Sequence, residues 1–511
     1  MVRGSEGTGE VSGFFGADVG DAIERLALEQ NLTIVVGAGA SAEAGLPNWE
    51  ELVHQLLRAV AHRRGLEGGE EEAFVRWALR DGLPSAGAIA KAELGGDFPE
   101  LLAECLFAGR SEFVPGPTWE AVSSLRALLA HSSSEVVTTN YDQLGEQALE
   151  DAFRHTPLTT GCYWDDRPQG PDEVACRHLH GVIEGAVPKG DLVLSEADYH
   201  LMQAPGQWQE SYMAQRLEHT TCLFVGSSLT DPNLLRYLYR GRPGTSSKRG
   251  RTRHVVVLAR QGEAQFYAHA SPVLVKAREE TASGRWRAMG VEPVLVDYYS
   301  QVAQFVSEVA ARKRLGDGYV PLDERLNAWE HFAVRLLRKD DPNFVARQGE
   351  VQAILGGLVG LVRSRLAAAG GTPRDEVVQA SWWLYLPSER SLVNWASSDR
   401  LWTDAGSLRR VAVHWQSQFV AVEAFCQGSV CSRSVGLGSP SRWRHVVGVP
   451  LHLGGAARLP VGALTLASTA EEPESCLSHG LAELRSKLLP SVGQVIADLF
   501  LDLGRVAGQG A

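Results

Sequence analysis

Four short stretches of this 511-residue chain carry residue types able to do chemistry. "GAGASA", Gly37 to Ala42, follows the apolar run Leu32 to Val36 and fits G-x-G-x-x-G/A, a turn whose backbone N–H groups and helix N-terminus receive a pyrophosphate. "TTNYD" sets Asn140 and Asp142 just past the carboxyl end of a buried strand, where ligands sit in open α/β sheets. "CRHLHG" sets His178 and His180 on one side of an extended segment. That spacing suits metal ligation, but no Cys or carboxylate cluster beside it completes a shell, so no metal is expected. "VGSSLTDPN" places Gly226, Ser227 and Ser228 after another strand, suiting a ribose or phosphate, with Asp231-Pro232 as N-cap and first turn of a helix.

Each stretch also has a plain structural reading: a glycine turn that binds nothing, Asn and Asp as turn formers, ordinary histidines, a well-formed strand–helix junction. Two nucleotide-site classes are poor matches. A P-loop needs Gly-Lys-Ser/Thr where this chain has Ala42 and Glu43. A simple dehydrogenase needs an acidic strand end about 20 residues on. There a helix is expected to run from Asn48, its Asn-Trp-Glu-Glu start matching a capping box.

Buried-type strands at Leu32 to Val36, Glu135 to Thr139, Thr221 to Val225, His254 to Ala259 and Val294 to Val296 must position these residues. Alternating with helices, they predict a parallel sheet covered on both faces, ending near Leu315. Beyond a charged helical linker, 316–345, a helix, the strands "QASWWLYLP", "SLVNWAS", "RHVVGVPLHL" and "VGALTLAS", a middle helix around Gln416 to Phe425 and a closing helix, Leu481 to Leu499, predict a smaller α/β domain over 346–505.

Composition sets the outer bounds. With 44% hydrophobic and 22% charged residues the chain is globular, and no apolar run is long enough to span a bilayer. Residues 1–20 are expected to be a flexible tail and not a signal peptide, which places the protein in the cytoplasm. Seven scattered cysteines point to reduced thiols. The net charge of −12 disfavours direct nucleic-acid binding, and the basic stretch Ser246 to His254 is expected to be a solvated loop.

Taken together and in order, the four motifs resemble the sirtuin family, specifically its bacterial sirtuin-like branch, over 21–315. "GAGASAEAGLP" is similar to that family's glycine-rich loop, "TTNYD" to its Asn strand end, His180-Gly181 to its catalytic His-Gly and "VGSSL" to its late loop. "LVLSEADY", Leu192 to Tyr199, and "DPN" are typical of the defence-associated branch. The resemblance implies a Rossmann-like doubly wound sheet that binds NAD+ as substrate. It implies that Asn140 orients water and the ribose hydroxyls and that His180 is a general base. Gly37, Ala38, Gly39 and Ser41 would hold the pyrophosphate, while Asp142 and Gly226 to Ser228 would fix the ribose ends.

Departures from the deacetylases narrow the implied activity. Their four-cysteine zinc module is absent, since only Cys162 and Cys176 fall in that interval, and Asn48-Trp49-Glu50 replaces Asp-Phe-Arg. The branch lacking these parts resembles NAD-cleaving anti-phage effectors that deplete NAD+ during abortive infection. The expectation is therefore an NAD+ glycohydrolase (NADase), restrained until a phage signal, small ligand or partner protein arrives. A protein deacylase and a non-catalytic NAD or ADP-ribose receptor are the rivals. The second domain resembles a GAF-type sensor and would dimerise or bind a ligand, making a homo-oligomer the expected state. Cys426 and Cys431 are candidates for redox sensing, with buried structural thiols the simpler reading, and the tryptophans at 382, 383, 395, 415 and 443 are expected mostly in the core.

Overall fold

Leu32–Val36 (β1) is buried along its whole length, as a run of Leu, Thr, Ile and Val covered on both faces must be. The computed structural model describes residues 14–15, 17–108, 113–185, 187–204, 206–240, 254–338, 341–370, 375–436, 441–454, 458–472 and 474–479. The chain divides into two units.

The first unit comprises Arg25–Leu295 and Phe305–Lys313. β1 is joined by Glu135–Thr138 (β2), Thr159–Tyr163 (β3), Glu173–His178 (β4), a hairpin of Val182–Glu184 (β5) and Val187–Lys189 (β6), then Thr221–Val225 (β7), His254–Ala259 (β8) and Val291–Val296 (β9). The main sheet has the order β3-β4-β2-β1-β7-β8-β9, and each pairing from β3 through β8 is parallel. The chain leaves β1 toward β2 and later returns to its other side at β7. The crevice between the carboxyl ends of β1 and β7 is therefore the switch point at which such sheets bind ligands.

Val35, Val137, Phe224 and Val256 pack with Met213, Leu217, Tyr237 and Trp286 into one core. Burying each such aliphatic side chain contributes about 1.5–3 kcal/mol. The helix Trp49–Arg63 starts with the expected capping box: Asn48 accepts from the Glu51 amide at 3.0 Å and Glu51 accepts from the Asn48 amide at 2.9 Å. It packs Leu52, Val53, Leu56 and Leu57 against Ala86, Leu94 and Leu102 in a helical cluster.

The second unit holds Val296–Gln304, the described residues from Arg314 onward and those up to Glu24. Its strands are Val378–Leu386 (β10), Ser391–Ser397 (β11), Arg410–Ala412 (β12), Cys431–Ser434 (β13), His445–Leu453 (β14) and Leu459–Ser468 (β15). They form a sheet of order β12-β11-β10-β15-β14-β13 with antiparallel pairing throughout. The helix Phe344–Gly370 and the helix Val420–Gln427 flank it, while Trp382, Trp395, Leu384 and Leu464 fill its core.

Two expectations change here. The segment 316–345 is more than a linker: in the helix Leu322–Leu336, Trp329, Ala333 and Leu336 join the second core, and the Trp329 indole donates to Tyr385 O at 2.8 Å. The stretch 1–20 is not a tail throughout, because Phe14 donates its amide to Asp323 at 2.9 Å, accepts from Gln301 at 2.8 Å and lays its ring 6.4 Å from Tyr385. Two adjacent aromatic rings bury too much apolar surface to be left in water. Cys426 and Cys431 are buried thiols outside any disulfide, and burial raises the Cys426 thiol above its ordinary range. The expected closing helix, Leu481 to Leu499, and the basic stretch before His254 lie outside the described residues. Among the described residues, no helix is long and apolar enough to cross a membrane.

Candidate functional site

At the switch point, the loop after β1 is locked onto the loop after β7. The Gly37 amide donates to Val225 O at 3.0 Å and the Gly39 amide to Gly226 O at 2.8 Å. A Cβ on Gly37 or Gly39 would stand 2.7 or 2.8 Å from that same Gly226 oxygen, and Gly226 itself has φ +60°. These glycines serve the close approach of two backbones. The amides of Ala40, Ser41 and Ala42 also donate to carbonyls within the loop, at 3.1, 3.1 and 2.9 Å. Within this loop the Ala38 amide is the one left without an acceptor among the described residues. The helix expected to follow is a single turn, Gly39–Ala42, ended by Gly45 at φ +86°.

Asn140 sits 5% exposed and is held from four sides. Its side-chain NH2 donates to Ser41 Oγ at 2.8 Å and to Gly37 O at 3.2 Å, its amide donates to Thr138 Oγ1 at 3.0 Å, and its carbonyl faces His178 Nδ1 at 2.8 Å. A backbone carbonyl only accepts, so the atom facing Gly37 O is the nitrogen and the orientation of the amide is fixed. The remaining atom, Oδ1, is buried without a hydrogen-bond partner.

His180 is 4% exposed, and its Nε2 is a second buried atom without a hydrogen bond. Asp231 Oδ2 lies 3.6 Å away, too long for one. Burial lowers the His180 pKa and the Asp231 charge only partly offsets this, so the imidazole is neutral at pH 7. Tyr199 meets the ring edge-on at 5.8 Å and donates its hydroxyl to Asp231 Oδ2 at 2.9 Å. Because Thr138 pairs with His178 and the Leu179 amide donates to Thr138 O at 2.8 Å, the extensions that carry Asn140 and His180 run side by side. Gly181, at φ +76°, turns the chain directly afterwards.

The two histidines of "CRHLHG" have different neighbours. His178 closes β4 and reaches Asn140 O through Nδ1 and Glu146 Oε1 through Nε2, at 2.8 and 2.7 Å. Burial alone would lower its pKa; the Glu146 carboxylate and the nearby Cys162 and Cys176 thiols outweigh that and hold it well above the ordinary value. In sequence only Cys176 stands beside these histidines; in space a carboxylate joins them. Glu146, Cys176 and His178 bring ligating atoms within 4.8 Å of one another. The reason is topological, since the helix Leu144–Phe153 brings Glu146 from 32 residues away.

Asp142, expected at the ribose, is 4% exposed and turned inward. It accepts from the Leu144 amide at 3.1 Å and lies beside Ser41, and burial raises its pKa against both neighbours. Ser41 thus stands between Asn140 and Asp142. Ser227 accepts from the Leu229 amide at 3.1 Å, and Ser228 is exposed and paired with Thr230 at 2.8 Å. Asp231 was legible only as a helix cap, a role it keeps through Leu234 N at 2.8 Å. Its second oxygen, with Tyr199, is the part of the site that spacing alone does not reveal.

Residues 134–294 match the family model of the SIR2-like domain, a span that contains Asn140, His180 and Asp231 but not the glycine loop after β1. The NAD(+) hydrolase ThsA of Bacillus cereus is 22% identical over 285 residues, which cover 55% of this chain and 54% of that protein. The chain thus spans about half the length of this curated relative. Among solved structures, a Sir2 homologue in complex with NAD is 14% identical, with 58% of this chain and 93% of that chain covered and a TM-score of 0.28. A histidine-to-asparagine variant of a Sir2 homologue with ADP-ribose is 17% identical, covering 46% and 83%, with a TM-score of 0.27.

Proposed function

We propose that the first unit, a SIR2-like domain, binds NAD+ and hydrolyses it to nicotinamide and ADP-ribose. The observation that carries this reading is the pair of buried, unbonded polar atoms, Asn140 Oδ1 and His180 Nε2, on adjacent strand extensions at the carboxyl edge of the sheet. Both are acceptors. Nicotinamide leaves a cationic precursor as a neutral base, so cleavage needs a stabilised oxocarbenium-like ribose and an oriented water. Asn140 Oδ1 accepts a hydrogen from that water or from a ribose hydroxyl. His180 Nε2, neutral and unengaged, takes the proton that is released.

Once protonated, His180 faces the Asp231 carboxylate, which steadies the imidazolium. Tyr199, donating to the same carboxylate, keeps it in place. Ser41 and Asp142 act behind Asn140 as positioning residues, Ala38 offers its amide to the pyrophosphate, and Gly37, Gly39 and Gly226 let the two loops close on it. The ribose ends fall to the loop of Ser227 and Ser228.

The named activity of the Bacillus cereus relative supports water over an acyl-lysine as nucleophile. In the cell, the reading is an anti-phage effector whose NAD+ depletion is held back until a signal arrives, with the second unit, GAF-like by its sequence pattern, as sensor or oligomerisation element. Chromatography of NAD+ incubated with the full chain tests the activity. Nicotinamide and ADP-ribose should form in equal amounts with wild type and should be lost with Asn140→Ala and His180→Ala. Turnover unchanged in both variants would sink the mechanism. NAD+ consumption that needs an acyl-peptide would favour the deacylase, and tight binding without nicotinamide release a receptor.

A further inference from the structure

We infer that Glu146, Cys176 and His178, joined by Cys162, form a site for one divalent metal ion of the zinc class, apart from NAD+ chemistry and from any four-cysteine module. Cys176 and His178 are two apart on β4 and so project to one face of the sheet. Cys162 lies directly opposite Cys176 in the parallel β3–β4 register. The helix Leu144–Phe153 covers this face closely enough that a Cβ on Gly145 would stand 2.7 Å from Cys176 Sγ. Its next residue, Glu146, enters the cluster with one oxygen on His178 and the other, Oε2, buried and unpartnered.

The donors are two sulfurs, an imidazole nitrogen and a carboxylate oxygen, the set that selects zinc over magnesium or calcium. The outer contact is also in place. His178 donates Nδ1–H to Asn140 O at 2.8 Å, which fixes the ring and aims Nε2 at the cluster, as metal-bound histidines are held. The ligating atoms of Glu146, Cys176 and His178 already lie within 4.8 Å of one another. A tetrahedral zinc with bonds of about 2.0–2.3 Å needs ligand separations of roughly 3.3–3.8 Å. The ion would take the place of the proton between Nε2 and Oε1, opening that 2.7 Å contact by about half an ångström. Entry is open at the edge strand β3, where Cys162 is partly exposed.

The full chain, stripped with chelator and titrated with Co2+ or Zn2+, tests this. Wild type should retain about one equivalent of metal by plasma mass spectrometry, and the cobalt form should show a thiolate-to-cobalt absorption band. Cys176→Ser should abolish the band, and Cys162→Ser and Glu146→Gln should weaken binding at least tenfold. Cys162→Ser changes only a partly exposed edge position, so its melting curve in chelator should match wild type; with that match, weakened binding supports the site even if Cys176→Ser does not fold. Wild type that retains no metal, or Cys176→Ser that keeps the full band, overturns the inference. A metal-free wild type in which Cys162 and Cys176 are oxidised to a disulfide overturns it as well.

Discussion

The two sheets put their polar residues to different uses. In the first unit, parallel strands end together, so β1, β2, β4 and β7 deliver their following loops to one edge, and those loops carry Gly37, Asn140, His180 and Gly226. In the second unit, antiparallel neighbours end at opposite edges, so no single edge collects loops in the same way. The buried carboxylate of Glu376 shows the contrast. It accepts from the Ser475 hydroxyl at 2.9 Å and the Cys476 amide at 3.2 Å, and is spent on holding the chain together. Asn140 is held just as firmly but keeps one acceptor unused. What sets Asn140 apart is that its unused acceptor stands at the edge where the loops after the parallel strands converge.

Breaking the first sheet's edge should give the largest effect. Asn140→Ala and His180→Ala are each expected to lower NAD+ turnover by about 10²–10⁴-fold, as loss of a positioned acid–base or electrostatic group does; Asn140→Ala should also cost about 1–3 kcal/mol of stability, because Gly37 O and Ser41 Oγ lose their donor. In the second unit, Leu384→Ala should cost about 2–5 kcal/mol in a denaturant melt followed by tryptophan fluorescence, because it opens a cavity beside Trp382 and Trp395. Gly39→Ala is expected to cost about 1–3 kcal/mol and to weaken NAD+ binding, since its Cβ would meet Gly226 O at 2.8 Å. A glycine in the second unit gives the opposite sign. Gly356, in the helix Phe344–Gly370, has open space where a methyl would stand, so Gly356→Ala should stabilise by about 0.5–1 kcal/mol in the same denaturant melt.

The pH dependence sharpens the same contrast. If neutral His180 is the base, kcat/KM falls as pH drops through its lowered pKa. Asp231→Asn keeps the helix cap but removes the charge that raises that pKa, so the acid limb should move to lower pH. Stability follows the same sign. As the pH falls below about 6.5 the unfolded chain takes up this proton before the folded one does, so His180 costs stability progressively down to its folded pKa.

Much of this was legible in sequence where one strand carried the signal. β1, β7 and β8 are short, mostly apolar runs, and the sequence marks their bounds because strands buried on both faces need such runs. β3, "TTGCY", was not legible: it is an edge strand, partly exposed, with no apolar run to mark it. In the site, Asn140 and His180 stood out from their places at strand ends. Asp231, Tyr199 and Glu146 act across 32 to 51 residues of chain, and no local spacing encodes a contact that only the fold creates. The docking of Phe14 is not encoded locally for the same reason, its hydrogen-bond partners lying beyond residue 300.

The interlock of Gly37 and Gly39 with Gly226 bears on the thermodynamics of recognition. A glycine-rich loop that stayed mobile until a phosphate arrived would surrender conformational freedom on binding, an entropy loss of about 1–2 kcal/mol per residue. Here the amides of Gly37 and Gly39 are fastened to backbone almost two hundred residues downstream, by bonds that need no ligand to form. The loop is thus a rigid die and not a soft clasp, and nucleotide entry should be accompanied by little loss of backbone motion.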